Sequence, residues 1–321
     1  NQTVVLAFLS QEAQNEPLSL LSNMVHGIVD FSLLAQGGSE GQSLVARLQL
    51  ARFLDPENNV PRLLLAQQQI KTATYSDAVD NLSAIDIDGP LGQPAMIALS
   101  DIANENRRFS EAASILQQAI AINPEDGYLY KLLGDSHRRD ADYKRSRKAY
   151  ETAYEMGHST SNLHRNLGVA LERLDQTQAA EKHLKMALEM NADDAFALNY
   201  LGYWWADQGR NLDEAIALIE RAVELRPNSG YFVDSLGWVH FRLGDAETAV
   251  QFLEQATELE PADSEITGHL GDVYWHLGRR NEARFKWRLA ITLADREAEK
   301  EKFRARLETG VPRSEINGLS E

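Results

Sequence analysis

The 321-residue chain contains no cysteine. Disulfide frameworks, thiolate zinc sites and cysteine nucleophiles are therefore excluded together, in a way that suits either the cytosol or the periplasm. No apolar run reaches the length of about 18 residues that a spanning helix needs. The opening stretch, NQTVVLAFLSQEAQ, lacks a basic leader and a small-residue cleavage site. It begins on Asn1 where a natural start would be Met, which leads us to expect a trimmed chain whose targeting signal lies upstream. Cations are also scarce: 32 Lys and Arg face 48 Asp and Glu, a formal charge of -16 spread along the chain. Such a surface argues against nucleic-acid phosphates and anionic membranes as partners and favours a protein or peptide.

Motifs of catalysis are missing as well. There is no Walker-type loop, no GxGxxG after a strand, no HExxH and no GxSxG. Asp234, Ser235 and His240 resemble a nucleophilic triad by composition, but Ser235 and His240 stand five apart on one predicted helix and cannot converge. We expect no catalytic residue, no cofactor and no metal.

What the chain does have is repetition. Between Asn199 and Gly244 the sequence twice states a Leu-Gly pair (Leu201-Gly202, Leu236-Gly237), an Ala about a dozen residues on, a second Ala seven later, and a Pro. With the small residue of each pair as a ruler, equivalents fall at Ser32, Ala66, Ser100, Gly134, Gly168, Gly202, Gly237 and Gly271, at intervals of 34, 34, 34, 34, 34, 35 and 34. Small residues recur at Ala78, Ala112, Ser146, Ala180, Ala215, Ala249 and Ala283, with Leu44 in the first repeat. They recur again at Ala51, Ala119, Ala153, Ala187, Ala222, Ala256 and Ala290, with Ile85 the exception, and let two helices approach closely. Pro56, Pro90, Pro124, Pro227 and Pro261 fall where one helix must stop and the next begin; His158, Ala192 and Asp295 replace them elsewhere. The single interval of 35 has its extra residue in the turn Gln208 to Leu212.

A period of 34 is that of the tetratricopeptide repeat, a helix-turn-helix unit that buries its apolar face only by stacking on a copy. The expected fold is all-α, one elongated right-handed superhelical solenoid of about eight helix pairs. Residues 1–16 would form a partial or capping helix, 17–294 the solenoid, 295–310 a capping helix carrying Phe303 and Leu307, and 311–321 a loose tail. A mobile loop, Gln36 to Gly41, would link the helices of the first pair.

Arrays of this family bind on the concave face, lined by first-helix residues at fixed offsets from the ruler. Carried onto this chain, that geometry gives a basic stretch, Lys131, Arg138, Arg139, Arg165 and Arg173, suited to a carboxylate or an acidic peptide. Beyond it runs an aromatic stretch including Phe196, Tyr200, Tyr203, Tyr231, Trp238, Phe241 and Trp275, with Arg242 beside it. Asn166 and Asn199 could hold a peptide backbone through their amides. The stripe Glu265, His269, Asp272, His276 faces one way, yet ligands strung over three turns of one helix seldom meet at one ion; a solvated or pH-sensitive face is the expectation.

The stretch from Asn199 to Gly244, NYLGYWWADQGRNLDEAIALIERAVELRPNSGYFVDSLGWVHFRLG, followed by HLGDVYWHLGRRNEARFKWRLA, resembles the carboxy-terminal half of bacterial cell-envelope tetratricopeptide-repeat proteins, many of them outer-membrane lipoproteins. The resemblance covers roughly Asn199 to Gly310 and includes EKFRARLETG near the end. It implies an envelope scaffold at the periplasm or the periplasmic face of the outer membrane. Some members are adaptors that bind a carboxy-terminal-processing protease and present cell-wall hydrolases to it. A lipid anchor needs an amino-terminal cysteine, so any anchor would lie upstream of Asn1. The alternatives are a cytoplasmic location and a self-assembling structural scaffold.

Overall fold

The computed structural model describes residues 39–311. Among them are sixteen α-helices and no strand. The chain divides into two compact units, Asn1–Gly157 and His158–Glu321. Where the period suggests one uninterrupted array, the division falls at Gly157, left-handed at φ 82°, followed by His158 in a position that elsewhere carries proline. Residues 1–16, the first helix of the first pair with Ser32, and the tail beyond Val311 lie outside the described residues.

The first unit holds α1 (Ser39–Leu54), α2 (Val60–Lys71), α3 (Tyr75–Ser83), α4 (Gly92–Glu105), α5 (Phe109–Ile122), α6 (Gly127–Arg139) and α7 (Tyr143–Glu155). Of the loop expected over Gln36 to Gly41, Ser39, Glu40 and Gly41 belong to α1, and Gln36 to Gly38 lie outside the described residues. The second unit holds α8 (Ser161–Glu172), α9 (Thr177–Met190), α10 (Ala195–Asp207), α11 (Leu212–Leu225), α12 (Gly230–Arg242), α13 (Ala246–Leu259), α14 (Ser264–His276), α15 (Arg280–Leu293) and α16 (Glu297–Thr309). From α2 onward the even-numbered helices up to α14 carry the ruler and are first helices; the odd-numbered ones from α1 to α15 are second helices.

Close crossing of the two helices explains the small residues. A Cβ added to Gly202 would stand 2.7 Å from Ile219 and 2.8 Å from the carbonyl oxygen of Ala215, so the α10 backbone rests on α11 with no room for a side chain. Ala180, Ala215, Ala249 and Ala283 are each fully buried at this crossing. Ser146 takes the same place in α7 and satisfies its hydroxyl by donating to the Gly134 carbonyl at 2.9 Å. Asp126, Asp142, Thr160, Asp194, Asp245 and Asp263 accept backbone N–H groups of the helices they precede, which fixes helix starts in both units.

Each turn from first to second helix closes in one way. The residue seven past the ruler is left-handed: Ala73, Arg107, Ala141 and Asp175 at φ 56 to 59°, then Gly209, Gly244 and Gly278 at φ 66 to 86°. The following N–H reaches back five residues, as in Asp142 N to His137 O at 2.9 Å and Asp245 N to His240 O at 3.0 Å, the bond that closes a Schellman motif. Asn211, left-handed at φ 50°, absorbs the extra residue of the long interval.

Helix α16 seals the end of the second unit. Phe303 is buried against Gly268, and Arg306 reaches Asp272 at 3.3 Å. Gly310 ends the helix at φ 77°, so close to Trp275 that an added Cβ would fall 2.0 Å from its ring.

Candidate functional site

In the first unit the exposed face of α4 and α6 is a charged surface that largely neutralises itself. Lys131 Nζ lies 2.7 Å from Asp135, which also accepts the Tyr150 hydroxyl at 2.6 Å. Arg139 meets Glu105, one repeat earlier, at 3.1 Å. Arg138 lies beside Tyr150, and Tyr128 has Lys131 Nζ 6.0 Å from its ring centre. In the second unit Arg165 makes a 2.7 Å ion pair with Asp194, and Arg173 lies 3.4 Å from Glu172. Burial opposes ionisation of Asp194, but Arg165, Ser161 and the Ala197 N–H outweigh it and hold its pKa below the ordinary carboxylate value. Four of the five cations taken for a carboxylate-binding stretch thus already have an acidic partner. Two of these partners, Glu105 and Asp194, come from the neighbouring repeat, and the other two, Asp135 and Glu172, sit beside their cations in sequence.

The aromatic stretch sorts into three groups. Phe241 is 3% exposed and lies in the core, and half-buried Trp275 packs against that core, with Arg280 3.7 Å from its ring centre and Gly310 against it. Phe196 and Tyr231 stand out, 49% and 55% exposed, with Arg165 and Arg226 on the Phe196 ring at 5.4 and 4.7 Å. Tyr200, Tyr203 and Trp238 are half-buried. Tyr200 donates to Glu172 at 2.9 Å. Trp238 stacks on His269 with ring centres 4.3 Å apart, and His269 is held by Asp234 at 3.0 Å. Desolvation lowers the His269 pKa, but Asp234 outweighs it and the net direction is upward.

Burial raises the Tyr203 pKa, with Glu265, Asp207 and Asp234 adding to the rise and Arg173 opposing it, so charges of both signs act on this phenol. Asn199 Oδ1 on α10 and Trp238 Nε1 on α12 are buried without a hydrogen-bond partner, as is Asn104 Oδ1 on α4 in the first unit. Asn166, by contrast, is 7% exposed and its amide donates to Asn162 at 3.3 Å. Arg242 is half-buried on α12.

The stripe on α14 is no single group. Asp272 is 2% exposed, accepts the Trp287 indole N–H at 2.8 Å and faces Arg306; desolvation dominates and raises its pKa. His269 and Asp272 are thus structural, whereas Glu265 and His276 are exposed. Among the described residues no group of three or more His, Cys, Asp or Glu is placed to hold a metal, and no helix is long and apolar enough to cross a membrane.

The repeat frame, the helix pairs and the crossing small residues now meet independent comparisons. One tetratricopeptide-repeat family profile matches residues 131–195 and 166–230, and a second matches residues 240–285. The chain carries tetratricopeptide repeats. A TPR repeat-containing protein of Pseudomonas aeruginosa is 29% identical over 189 residues, 57% of this chain and 31% of the relative. Anaphase-promoting complex subunit 3 of Schizosaccharomyces pombe is 21% identical over 173 residues, 54% of this chain and 24% of the relative. The chain spans less than a third of the length of these curated relatives. Among solved structures, the Cut9 and Hcn1 hetero-tetramer of the APC/C aligns with a TM-score of 0.66 at 16% identity, over 90% of this chain and 58% of that one. A tetratricopeptide repeat protein from Parabacteroides merdae aligns with a TM-score of 0.64 at 14% identity, over 77% of this chain and 97% of that one. These likenesses establish the fold.

Proposed function

We propose that the chain is a non-enzymatic scaffold that binds an extended segment of a protein partner on the face formed by α10, α12 and α14. One observation carries this reading: a buried acceptor, Asn199 Oδ1, and a buried donor, Trp238 Nε1, stand unpaired on the same face as the half-buried rings of Tyr200 and Tyr203. Buried polar groups left unpaired are costly, and a peptide backbone supplies both complements at once. Aromatic rings with a polar edge are also the residues that most often anchor interfaces.

The relatives support a scaffold in different ways. The structure matching over most of this chain is of a hetero-tetramer, a setting in which such an array assembles with another protein. The resemblance of Asn199 to Gly310 is what favours the cell envelope, with delivery of a client to a periplasmic protease as the specific role. Self-assembly is the competing reading, and a concentration-independent monomer in light scattering removes it.

The test is site-specific photo-crosslinking in the native organism, from position 200 on the proposed face and from position 281, exposed on α15. We expect one discrete adduct from position 200 and none from 281. Adducts of equal yield from both, or none from either, sink the proposal. Recovery of the chain with cytosolic proteins alone overturns the envelope placement.

A further inference from the structure

The first unit has a cleft where its own repeat pattern calls for packing. It lies between α1, α2 and α3, holds about 870 Å³, and has Arg52, Arg62, Gln69 and Asn81 among its walls. Arg52 follows the second small residue of its repeat, Ala51; the same place holds Ile120 on α5, Val223 on α11 and Ile291 on α15. Arg62 stands four residues before the ruler, where α4, α10 and α12 bury Met96, Leu198 and Val233. Among the described repeats neither place carries Lys or Arg again. In the second unit Val223, Val233 and Phe252, at the places of Arg52, Arg62 and Asn81, belong to one apolar cluster. The corresponding cleft between α13, α14 and α15 holds about 370 Å³, and within it Tyr274, at the place of Gln69, donates to Glu254 at 2.6 Å.

The two arginines are positioned and not neutralised. Arg52 Nη1 donates to Asn81 Oδ1 at 2.7 Å, and Asn81 Nδ2 donates in turn to Gln69 Oε1 and to the Asp77 carbonyl, both at 3.0 Å, so three helices fix the direction of one guanidinium. Arg62 has no hydrogen bond or ion pair among the described residues, and its Nε is buried. Other arginines with a buried unpaired nitrogen, Arg210 and Arg306 among them, lie against a carboxylate, Glu181 at 2.7 Å and Asp272 at 3.3 Å. Asp77 and Asp80, exposed on α3, also line the cleft without pairing with either arginine. They limit the ligand: a single carboxylate finds two guanidinium groups, whereas a polyanion also meets like charge. Phe53 on α1, 80% exposed, adds an apolar wall. We infer that this cleft, separate from the face proposed above, is a second binding site, for a segment of a partner protein that carries one Glu or Asp beside an apolar residue. The carboxylate is received by Arg62 and Arg52, and the apolar neighbour rests on Phe53.

The test is an NMR titration of the nitrogen-15-labelled full chain with N-acetyl-glutamyl-leucinamide, read at the Asn81 side-chain amide and the Phe53 backbone amide. This minimal probe should bind with a dissociation constant on the order of 1 mM, and its glutaminyl counterpart about tenfold or more weakly. Arg62→Met installs the residue that α4 carries at the same place. It should weaken the glutamyl probe about tenfold while leaving the melting temperature unchanged or higher, because the buried unpaired nitrogen goes with the charge. Arg62→Lys, which keeps the charge and loses the fork, should weaken it about threefold. D77N/D80N should tighten it about twofold or more. Lys144→Gln, which removes one cation from an exposed position on α7, should leave the affinity unchanged. Equal binding of the two probes, full binding in Arg62→Met, or no shift with the glutamyl probe overturns the inference. Tighter binding of inorganic phosphate than of the glutamyl probe overturns it too, and assigns the cleft to a phosphate ligand.

Discussion

The two units share one helix crossing and differ in what their first helices show on the other side. In the first unit, Lys131, Asp135, Arg139 and Glu105 satisfy one another. In the second, Tyr200, Tyr203 and Trp238 present half-buried rings on α10 and α12. The buried side of a repeat is dictated by packing, which the period enforces at every copy. The opposite side is free of that constraint, and there the copies diverge into a face of charge pairs and a face richer in aromatic rings. A second difference lies within the crossing: the first unit has Ala66 and Ser100 at ruler positions where the second has only glycine.

That second difference predicts the largest effect. In Gly202→Val the new Cβ alone meets Ile219 at 2.7 Å and the Ala215 carbonyl at 2.8 Å, and a backbone oxygen cannot rotate away. We expect a loss of about 3 kcal/mol from overpacking. Ser100→Ala in the first unit removes one hydrogen bond, Oγ to the Ile97 carbonyl at 2.7 Å, and should cost less than about 1 kcal/mol. All five tryptophans (204, 205, 238, 275 and 287) lie in the second unit, so urea unfolding followed by indole emission reads that unit alone. Far-UV dichroism reads the whole chain. Similar losses from both substitutions would break the comparison.

Histidines sharpen it through pH. His183 and His164, on α9 and α8, share a 2.9 Å contact between their Nδ1 atoms, and desolvation first, then His164 and Lys182, lower the His183 pKa to about 4 from 6.5. Between those values the unfolded chain binds the proton that the folded chain refuses, so this stability is present above pH 6.5 and lost as pH falls through 4. For this partly exposed ring we expect about 1–2 kcal/mol after screening, seen as an acid-side fall in the indole-monitored midpoint. His183→Gln should flatten that slope. His269, raised by Asp234 against desolvation, acts with the opposite sign: its contribution is present below 6.5 and lost as pH rises through its folded value. An unchanged acid slope in His183→Gln would remove the assignment.

The helix pairs were legible in the sequence because their period is a packing requirement. Ala215, Ala249 and Ala283 are small for a reason that steric contact alone decides, and each is fully buried. The occupants of the exposed face were legible as residue types, since offsets from the ruler follow from the period. Their state was not. Arg139 looks like a free cation until Glu105, 34 residues earlier, arrives beside it, and Phe241 looks like a groove residue until α12 turns its ring into the core. Spacing ranks residues by helix face, but pairing depends on side-chain reach between repeats, as in Arg165 with Asp194 and Tyr200 with Glu172.

The turns give the smallest and most local test. Ala141 in the first unit and Gly244 in the second hold the same left-handed place, at φ 56° and 86°. An L-residue there strains its Cβ against the backbone by about 1–2 kcal/mol, which glycine escapes. Glycine also loosens the unfolded chain by about 0.4–1 kcal/mol, so the two effects partly cancel. Ala141→Gly should therefore gain about 0.5 kcal/mol, read as slower amide exchange in α6 and α7. Gly244→Ala should lose about 1 kcal/mol, read by indole emission in the second unit. Asp175, whose short polar side chain tolerates this conformation better, should gain least of the non-glycine positions on replacement by glycine. If Ala141→Gly destabilises instead, the strain at φ 56° is already relieved by the bond from Asp142 N to His137 O, and the glycines of the second unit reflect no difference in turn energy.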